Sequence, residues 1–223
     1  MIGLPQRRQV PSNRMGFQRS LMWEWDQEPI QCSLDCLGSL EVQEVSWLPR
    51  LRNHFWAALC SFHYLGFKGT VGENLQYLVR DGRGRLLACL LFGSSAWKSA
   101  PRDQWIGWSA QQRQKNLALT TNNARFLILP WVKVPCLASW ILGRVTRRLC
   151  ADWEQKYGHP ILVVESFVER DRFRGTAYRA ANWLKVGSTT GRTRQDRNHD
   201  LQSPVKDIYL YPLQKDFRRV LCR

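Results

Sequence analysis

Residues 125–134 read RFLILPWVKV and residues 161–168 read ILVVESFV, and these two apolar runs decide the fold. Each run is short enough to be a buried strand, and the second is rich in β-branched residues. Between them, residues 135–158 have the pattern of a helix that begins at a proline and ends at a glycine. Residues 172–183 predict another short helix. Strand, helix, strand, helix is the order of a βαβ unit with a buried parallel pair.

The chain before this core predicts a helix and a hairpin. Residues 46–66 place large apolar residues three and four positions apart, as in an amphipathic helix. Two apolar runs flank residues 81–84, which read DGRG, a strong hairpin signal because glycine adopts the left-handed backbone of such turns. A short strand is predicted at 104–108 and a helix at 109–123, with Ser109 as its N-cap.

The two ends of the chain differ in character. Residues 184–190 and 206–213 predict the last strands. Residues 1–45 have no sustained period, and we expect an extended or partly disordered N-terminal arm there. Residues 46–223 then form one α/β domain, since no linker divides them.

Charge is the most unusual feature of the composition. The 223 residues include 33 Lys and Arg against 18 Asp and Glu, a formal net charge of +15. A protein this basic attracts phosphate polyanions such as nucleic acids. No segment reaches the roughly 18–20 apolar residues that span a bilayer, and the N-terminus lacks the apolar region of a signal peptide. We therefore expect a cytoplasmic protein with no membrane partner, whose seven cysteines are reduced thiols and form no zinc site.

Three residues are candidates for catalysis: Glu165, His63 and Asp103. Glu165 lies among apolar residues of a predicted central strand, so its carboxylate must be paired or have a raised pKa. It could act as a general base or a metal ligand, or form a buried ion pair with Arg174 or Arg179. His63 lies beside the apolar stripe of the first predicted helix, and Asp103 at a predicted loop–strand junction. Structural hydrogen bonding is the alternative role for both.

Arginines crowd the two segments that follow the second apolar run. They are Arg170, Arg172, Arg174, Arg179, Arg192, Arg194 and Arg197. If the parallel pair is right, the first of them emerge at the carboxyl edge of the sheet, where open α/β sheets bind ligands. Arginine favours bidentate contacts with phosphate, and Trp183 could stack on an unpaired base. Asp196 and His199 could support metal or proton-transfer chemistry, although a solvated loop explains them equally well.

Five segments resemble the DruA family, which takes its name from the Druantia anti-phage defence system. In chain order they are VRDGRGRLLACLLFGSSAWKSAPRDQWIGWS, NNARFLILPWVKVPCLAS, ESFVERDRFRGTAYRAANW, VGSTTGRTRQDR and VKDIYLYPL. The resemblance covers about residues 46–217. It implies a place in defence loci or beside insertion-sequence and transposase genes, with other defence or transposition proteins as partners. It implies no particular reaction.

Two departures from the family pattern stand out. Longer members carry an N-terminal helical, DNA-binding segment that this sequence lacks. Cys136 stands where similar sequences carry asparagine, which puts a polar role at that position in doubt.

The order of predicted elements also resembles the GNAT acyltransferase fold. This implies a single α/β domain, a GNAT-like mixed β-sheet flanked by helices, with the extended N-terminal arm in front. In GNAT enzymes, a Gly-rich loop before the helix that follows the central strand holds the pyrophosphate of coenzyme A. Here residues 133–139 read KVPCLAS, without glycine, and Pro135 has no N–H to donate. Acetyl-coenzyme A therefore stays open as a cofactor, although the loop that would bind it is absent.

These observations give three functional hypotheses and leave open whether the protein is an enzyme. The first is a DruA-like protein of anti-phage defence or mobile elements that interacts with nucleic acid through its Arg-rich edge. The second is a GNAT-type acyl- or aminoacyl-transferase with Glu165 or His63 as base. The third is a metal-dependent nuclease that uses Asp103, Glu165 and Asp196, although their spacing requires no metal.

Overall fold

The computed structural model describes residues 24–191 and 203–223. The described residues contain seven strands: β1 (Glu41–Glu44), β2 (Leu75–Arg80), β3 (Leu86–Ser94), β4 (Thr120–Ile128), β5 (Val163–Glu169), β6 (Leu184–Ser188) and β7 (Lys206–Pro212). They also contain six α-helices: α1 (Pro49–Phe62), α2 (Ala100–Ile106), α3 (Ala110–Asn116), α4 (Leu137–Tyr157), α5 (Thr176–Ala180) and α6 (Phe217–Leu221). None of these helices is long and apolar enough to cross a bilayer.

The strands form a mixed sheet in the order β1-β2-β3-β4-β5-β7-β6. β2 and β3 form the predicted antiparallel hairpin. β4, α4 and β5 form a βαβ unit as predicted, but β4 runs over Thr120–Ile128 and not over 125–134. The residues of β4 that pair in parallel with β5, Thr120–Asn122, were predicted to end a helix. β5 also pairs with β7 in antiparallel orientation along its whole length. With neighbours on both sides, β5 is a central strand, as its apolar sequence predicted.

The parallel ladder between β4 and β5 is short. It runs from the pair Thr120–Val163 to the pair Asn122–Glu165. Glu165 therefore lies at the last position of the parallel ladder, in a strand whose pairing with β7 continues to Glu169.

The chain divides into two compact units. The first consists of the residues up to Phe92 together with Arg125–Ile141, and the second of Gly93–Ala124 together with Leu142–Arg223. In the first unit, α1 packs on β2 and buries Phe55 against Phe67, with ring centroids 6.3 Å apart. In the second unit, one apolar cluster joins β5 and β7 to the helices α2 and α6. Its buried members are Ile106, Trp108, Leu162, Val163, Ile208, Leu210, Phe217 and Leu221.

Residues 104–108 were predicted to form a strand, and this prediction was wrong. Residues 100–106 form helix α2, so Asp103 lies in a helix and not at a loop–strand junction. The helix signals were present in the sequence: Pro101 lies in the first turn, and Gly107 ends the helix with φ 88° in the left-handed region.

Two predicted helices are shorter than expected. α3 begins after Ser109 with the predicted cap, which is a complete capping box with Gln112, but it ends at Asn116 because Thr120 already belongs to β4. The helix predicted over 172–183 is reduced to the five residues of α5, preceded by Gly175 with φ 64°.

The predicted N-terminal arm is described from residue 24 onward. Ile30 forms an isolated parallel bridge with Val132, and β1 pairs with β2. The arm therefore contributes a strand to the sheet. The boundary at residue 45 stays a prediction.

Candidate functional site

Glu165 is buried, with 1% of its surface exposed, and both carboxylate oxygens accept hydrogen bonds. The backbone N–H of Ala96 donates to Oε1 at 2.6 Å, and Nη1 of Arg102 donates to Oε2 at 2.9 Å. Arg102 is itself fully buried. Glu165 is therefore paired as the sequence suggested, but with Arg102 and not with Arg174 or Arg179, whose side chains are exposed.

Arg102 joins Glu165 to Asp103. Its Nε and Nη2 donate to Oδ1 of Asp103 at 3.0 and 2.8 Å, and Nη1 of Arg113 donates to Oδ2 of Asp103 at 3.1 Å. Nε1 of Trp108 also donates to Oδ1 of Asp103, at 3.0 Å. We call this set of Glu165, Arg102, Asp103 and Arg113 the Arg102 network. It alternates two carboxylates with two guanidinium groups.

The local fold explains why these residues meet. Helix α2 packs on β6 at Gly187, where a Cβ atom would lie 2.7 Å from Cβ of Pro101, so only glycine fits without a shift. The next residue after Pro101 is Arg102, whose Nη1 also donates to the carbonyl oxygen of Ala96 at 2.7 Å. Glu165 and Arg102 thus hold both polar groups of the Ala96 backbone in place.

The electrostatics of the Arg102 network favour a structural ion pair. Burial raises the pKa of Glu165 above its ordinary value, while the charge of Arg102 and the N–H of Ala96 act in the opposite direction. Both carboxylate oxygens accept a hydrogen bond, and only 1% of the residue is exposed, so solvent and substrate have little access to Glu165. The guanidinium of Arg102 also lies between Glu165 and Asp103, where a shared metal ion would need to be. Within residues 24–191 and 203–223, no group of three or more His, Cys, Asp or Glu side chains could hold a metal ion.

His63 lies in the other compact unit and takes no part in the Arg102 network. Its Nδ1 accepts a hydrogen bond from the N–H of Leu65 at 3.2 Å, and its ring stacks on Tyr64 with centroids 5.0 Å apart. Burial, together with the charge of Arg125, lowers the pKa of His63 to about 3. His63 is therefore a neutral, hydrogen-bonded group at physiological pH.

A second buried polar cluster begins one residue beyond the parallel ladder. Oγ of Ser166 donates to the hydroxyl of Tyr178 at 2.9 Å, and that hydroxyl donates to Oδ1 of Asn123 at 2.8 Å. Because side chains alternate along a strand, Asn123 and Ser166 point to the opposite face of the sheet from Glu165. This cluster was not predicted from the sequence. The strand register could have paired Asn123 with Ser166, but the position of Tyr178 depends on where α5 begins.

Part of the predicted nucleic-acid-binding set is engaged within the protein. Arg170 is 52% exposed, and its Nη2 donates to Asp207 at 2.7 Å and to Ser188 at 2.6 Å. Nζ of Lys185 donates to Asp207 at 2.7 Å. Burial opposes ionisation of Asp207, but hydrogen bonds from Lys185, Arg170 and Ser188 outweigh it and lower the pKa to about 2. Asp207 is thus a permanent anion that orients Arg170.

The remaining members of the set differ in exposure. Arg172 is 11% exposed and its Nε donates to Glu169 at 2.8 Å. Arg174 and Arg179 are exposed and form no ion pair within the described residues. Trp183 is 3% exposed and packs against Tyr178 and Tyr211, so its faces are not open to a base. Five residues named in the sequence analysis lie outside the described residues: Arg192, Arg194, Asp196, Arg197 and His199.

Cys136, in the loop before α4, has an unusual backbone conformation. Cys136 has φ 63°, in the left-handed region that costs a non-glycine residue energy and that asparagine tolerates better than most. The asparagine that the resemblance implies at this position is therefore explained by backbone conformation. No polar role is needed to account for it.

Solved structures of acetyltransferases resemble the chain. A chimera of the spermidine N-acetyltransferase SpeG from Vibrio cholerae and hSSAT has a TM-score of 0.50 and 7% identity, over 78% of this chain and 95% of the chimera. The spermidine/spermine N-acetyltransferase SpeG from Vibrio cholerae in complex with manganese has a TM-score of 0.48 and 9% identity, over 81% of this chain and 96% of SpeG. At such identities the likeness concerns the fold alone. The protein has the predicted GNAT-like mixed sheet flanked by helices.

The family follows from the sequence match. The model of the family described as Druantia protein DruA matches residues 26–203. The chain therefore belongs to the DruA family, as its five segments predicted, and this membership supports a defence-related role. No curated protein matches the chain.

The Arg102 network generates a prediction about stability. Arg102→Met keeps the length of the side chain but leaves Glu165 buried without its cation, which should lower the free energy of unfolding by roughly 3–5 kcal/mol. The double variant Arg102→Met/Glu165→Leu removes both charges and should recover most of that loss. Urea unfolding followed by tryptophan fluorescence measures both. A loss below about 1 kcal/mol for Arg102→Met would contradict the role of the network.

His63 generates a prediction about pH. Its folded pKa of about 3 lies below the ordinary value of 6.5, so the unfolded chain binds its proton first as pH falls. The resulting stability is present above pH 6.5 and is lost toward pH 3, by up to roughly 1.4 kcal/mol per pH unit. His63→Asn keeps an acceptor for the N–H of Leu65 and should flatten the dependence between pH 7 and 5. Because His54 also has a lowered pKa, about 4, some dependence will remain. Equal slopes for variant and parent would refute the assignment.

Proposed function

We propose that this member of the DruA family acts in defence by binding nucleic acid electrostatically through residues 170–179, the segment that follows β5. The observation that carries the proposal is the exposure of Arg174 and Arg179, which form no ion pair among the described residues, on a chain with a net charge of +15. Guanidinium groups that are not neutralised internally are available to phosphate oxygens.

The engaged arginines have a supporting role in this proposal. Arg172 and its partner Glu169 form an ion pair within the turn, and the N–H groups of Arg172 and Phe173 donate to the carbonyl oxygen of Glu169 at 3.2 and 2.9 Å. The turn is therefore held in one conformation, which reduces the entropy that Arg174 loses on binding. Arg170 retains half of its surface for a phosphate while Asp207 orients it. Arg192, Arg194 and Arg197 lie outside the described residues, and their part in binding rests on the sequence alone.

A double charge reversal tests this proposal. Arg174→Glu/Arg179→Glu should weaken retention of a fluorescent oligonucleotide at least tenfold at about 50 mM salt, because two attractions to phosphate become repulsions. It should also lower the slope of log affinity against log salt by roughly one for each phosphate that is no longer neutralised. Fluorescence anisotropy over a range of salt concentrations measures both quantities.

The matched control is Arg50→Glu/Lys68→Glu, which makes the same change in net charge at two exposed residues of the other compact unit. If both double variants lose affinity equally, binding follows the overall charge and the proposed surface is wrong. If the parent chain binds neither single strands nor duplexes, the proposed function itself is wrong.

Acyl transfer is a second candidate, favoured by the hydrogen-bonded chain of Ser166, Tyr178 and Asn123 in a GNAT-like fold. The oxygens of Glu165 and Nδ1 of His63 already accept hydrogen bonds. The hydroxyl groups of Ser166 and Tyr178 carry protons, which makes them the better candidates for a general acid. The hydroxyl of Tyr178 accepts from Ser166 and donates to Asn123, so it would pass a proton to a leaving group when a substrate replaces Asn123 as its acceptor. The loop at Cys136 argues against the usual donor site, because it offers neither glycine nor the N–H of residue 135.

Calorimetry with acetyl-coenzyme A decides the second candidate. If the chain is an acyltransferase, the titration should release heat with a dissociation constant in the micromolar range, and the ligand should raise the melting temperature. Tyr178→Phe should then keep the affinity and lose the turnover. Absence of both heat and thermal shift would remove acetyl-coenzyme A as a donor.

A further inference from the structure

A cleft of about 300 Å³ opens in the first compact unit, and no functional hypothesis above uses it. This volume is at the low end of the roughly 300–1,000 Å³ typical of ligand pockets, and suits a single head group of side-chain size. Its walls include the rings of Trp25, Trp131 and His54. Ligand pockets commonly have such aromatic walls, with a few polar groups that select the ligand.

The aromatic walls are fixed by their neighbours. Trp25 stacks on His54 with centroids 5.0 Å apart and an interplanar angle of 27°. The ring of Phe62 is nearly perpendicular to both tryptophans, with centroids 5.2 Å from Trp25 and 5.0 Å from Trp131. The backbone is also tied, because the N–H of Ile30 donates to the carbonyl oxygen of Trp131 at 2.9 Å. The cleft is therefore largely formed before any ligand arrives.

The charges around the cleft are unusual for so basic a chain. Three exposed carboxylates line it: Glu24, Asp26 and Glu28. None of the three forms an ion pair within the part of the chain that the structure describes.

The positive charges on the other side of the cleft are fewer. Arg85 is held by Asp81 at 2.7 Å, which leaves Arg83 as the lining cation not already paired with a carboxylate among the described residues. Burial and the charge of Arg80 lower the pKa of His54 to about 4, so its ring is neutral at physiological pH. Among the described residues that line the cleft, negative charge is thus in excess, although the chain carries +15.

We propose that this cleft binds an organic cation, an alkylguanidinium or alkylammonium head group that lies against the aromatic walls formed by Trp25 and Trp131 while the three carboxylates balance its charge. Cations are attracted to the face of an indole ring, most strongly where water is partly excluded. The same carboxylates repel phosphate, which makes the cleft unsuitable for nucleotides. The site is therefore distinct in chemistry from the proposed nucleic-acid surface and independent of it.

The probe is Nα-acetyl-arginine amide, and its matched control is Nα-acetyl-citrulline amide, which has nearly the same shape without the charge. Calorimetric titration of the full chain should give at least tenfold weaker binding for the citrulline compound. Nα-acetyl-lysine amide and 1,4-diaminobutane complete the series. Tighter binding of the capped amino acids indicates a side chain of a partner protein, and tighter binding of the diamine indicates a small free amine. Equal affinity for the arginine and citrulline compounds, or no binding of any cation, overturns the proposal.

Two sets of variants locate the binding. Glu24→Gln/Asp26→Asn/Glu28→Gln should weaken the arginine probe at least tenfold, whereas Asp35→Asn/Glu154→Gln/Asp171→Asn, which removes three carboxylates elsewhere, should change it less than twofold. Trp131→Leu should weaken binding, and Trp131→Phe, which restores an aromatic face, should recover most of it. The melting temperature of each variant, measured alongside, separates loss of the site from loss of the fold. Equal effects of the two triple variants overturn the proposal.

Discussion

The second compact unit depends on how one buried guanidinium is satisfied. Arg102 has five N–H donors, and four of them donate hydrogen bonds: one to Glu165, two to Asp103 and one to the carbonyl oxygen of Ala96. The face of Trp108 covers it with the ring centroid 5.5 Å away. A fully buried cation costs several kcal/mol unless its partners meet it in this way, so the geometry of α2 relative to β5 is tightly specified.

This requirement changes the interpretation of the catalytic candidates. A buried carboxylate with a raised pKa in a central strand resembles a general base, but a base must be accessible to its substrate. Glu165 is 1% exposed and accepts hydrogen bonds on both oxygens, and Asp103 accepts them on both of its own. Their unusual environment is accounted for by the folding of the unit. The hydroxyl groups of Ser166 and Tyr178 are instead linked by a hydrogen bond on the other face of β5.

Short-range patterns in the sequence predicted the hairpin, the βαβ unit and the burial of Glu165, because apolar runs and turn glycines determine these locally. The partner of Glu165 could not be found that way. Arg102 is 63 residues away in the chain and lies in a helix whose residues were predicted to form a loop and the start of a strand. Trp183 shows the same limit: its immediate neighbours, Asn182 and Leu184, do not indicate whether it is buried, yet the turn after the short helix α5 places its ring in the core. Residues that act through contacts distant in sequence need the fold before their roles can be assigned.

Charge is distributed unevenly over the described residues, and the net charge of +15 does not describe each surface. Asp207 and Glu169 neutralise Arg170 and Arg172 at the segment that follows β5, which leaves Arg174 and Arg179 as its unneutralised cations. Around the aromatic cleft the balance is reversed, with carboxylates in excess. A chain selected only for general attraction to polyanions has no reason to keep three exposed carboxylates around a preformed cleft with indole walls. The cleft carries a charge opposite in sign to that of the whole chain, which is evidence that its ligand differs chemically from nucleic acid. The carboxylates of the cleft repel phosphate, and the arginines after β5 repel a cation.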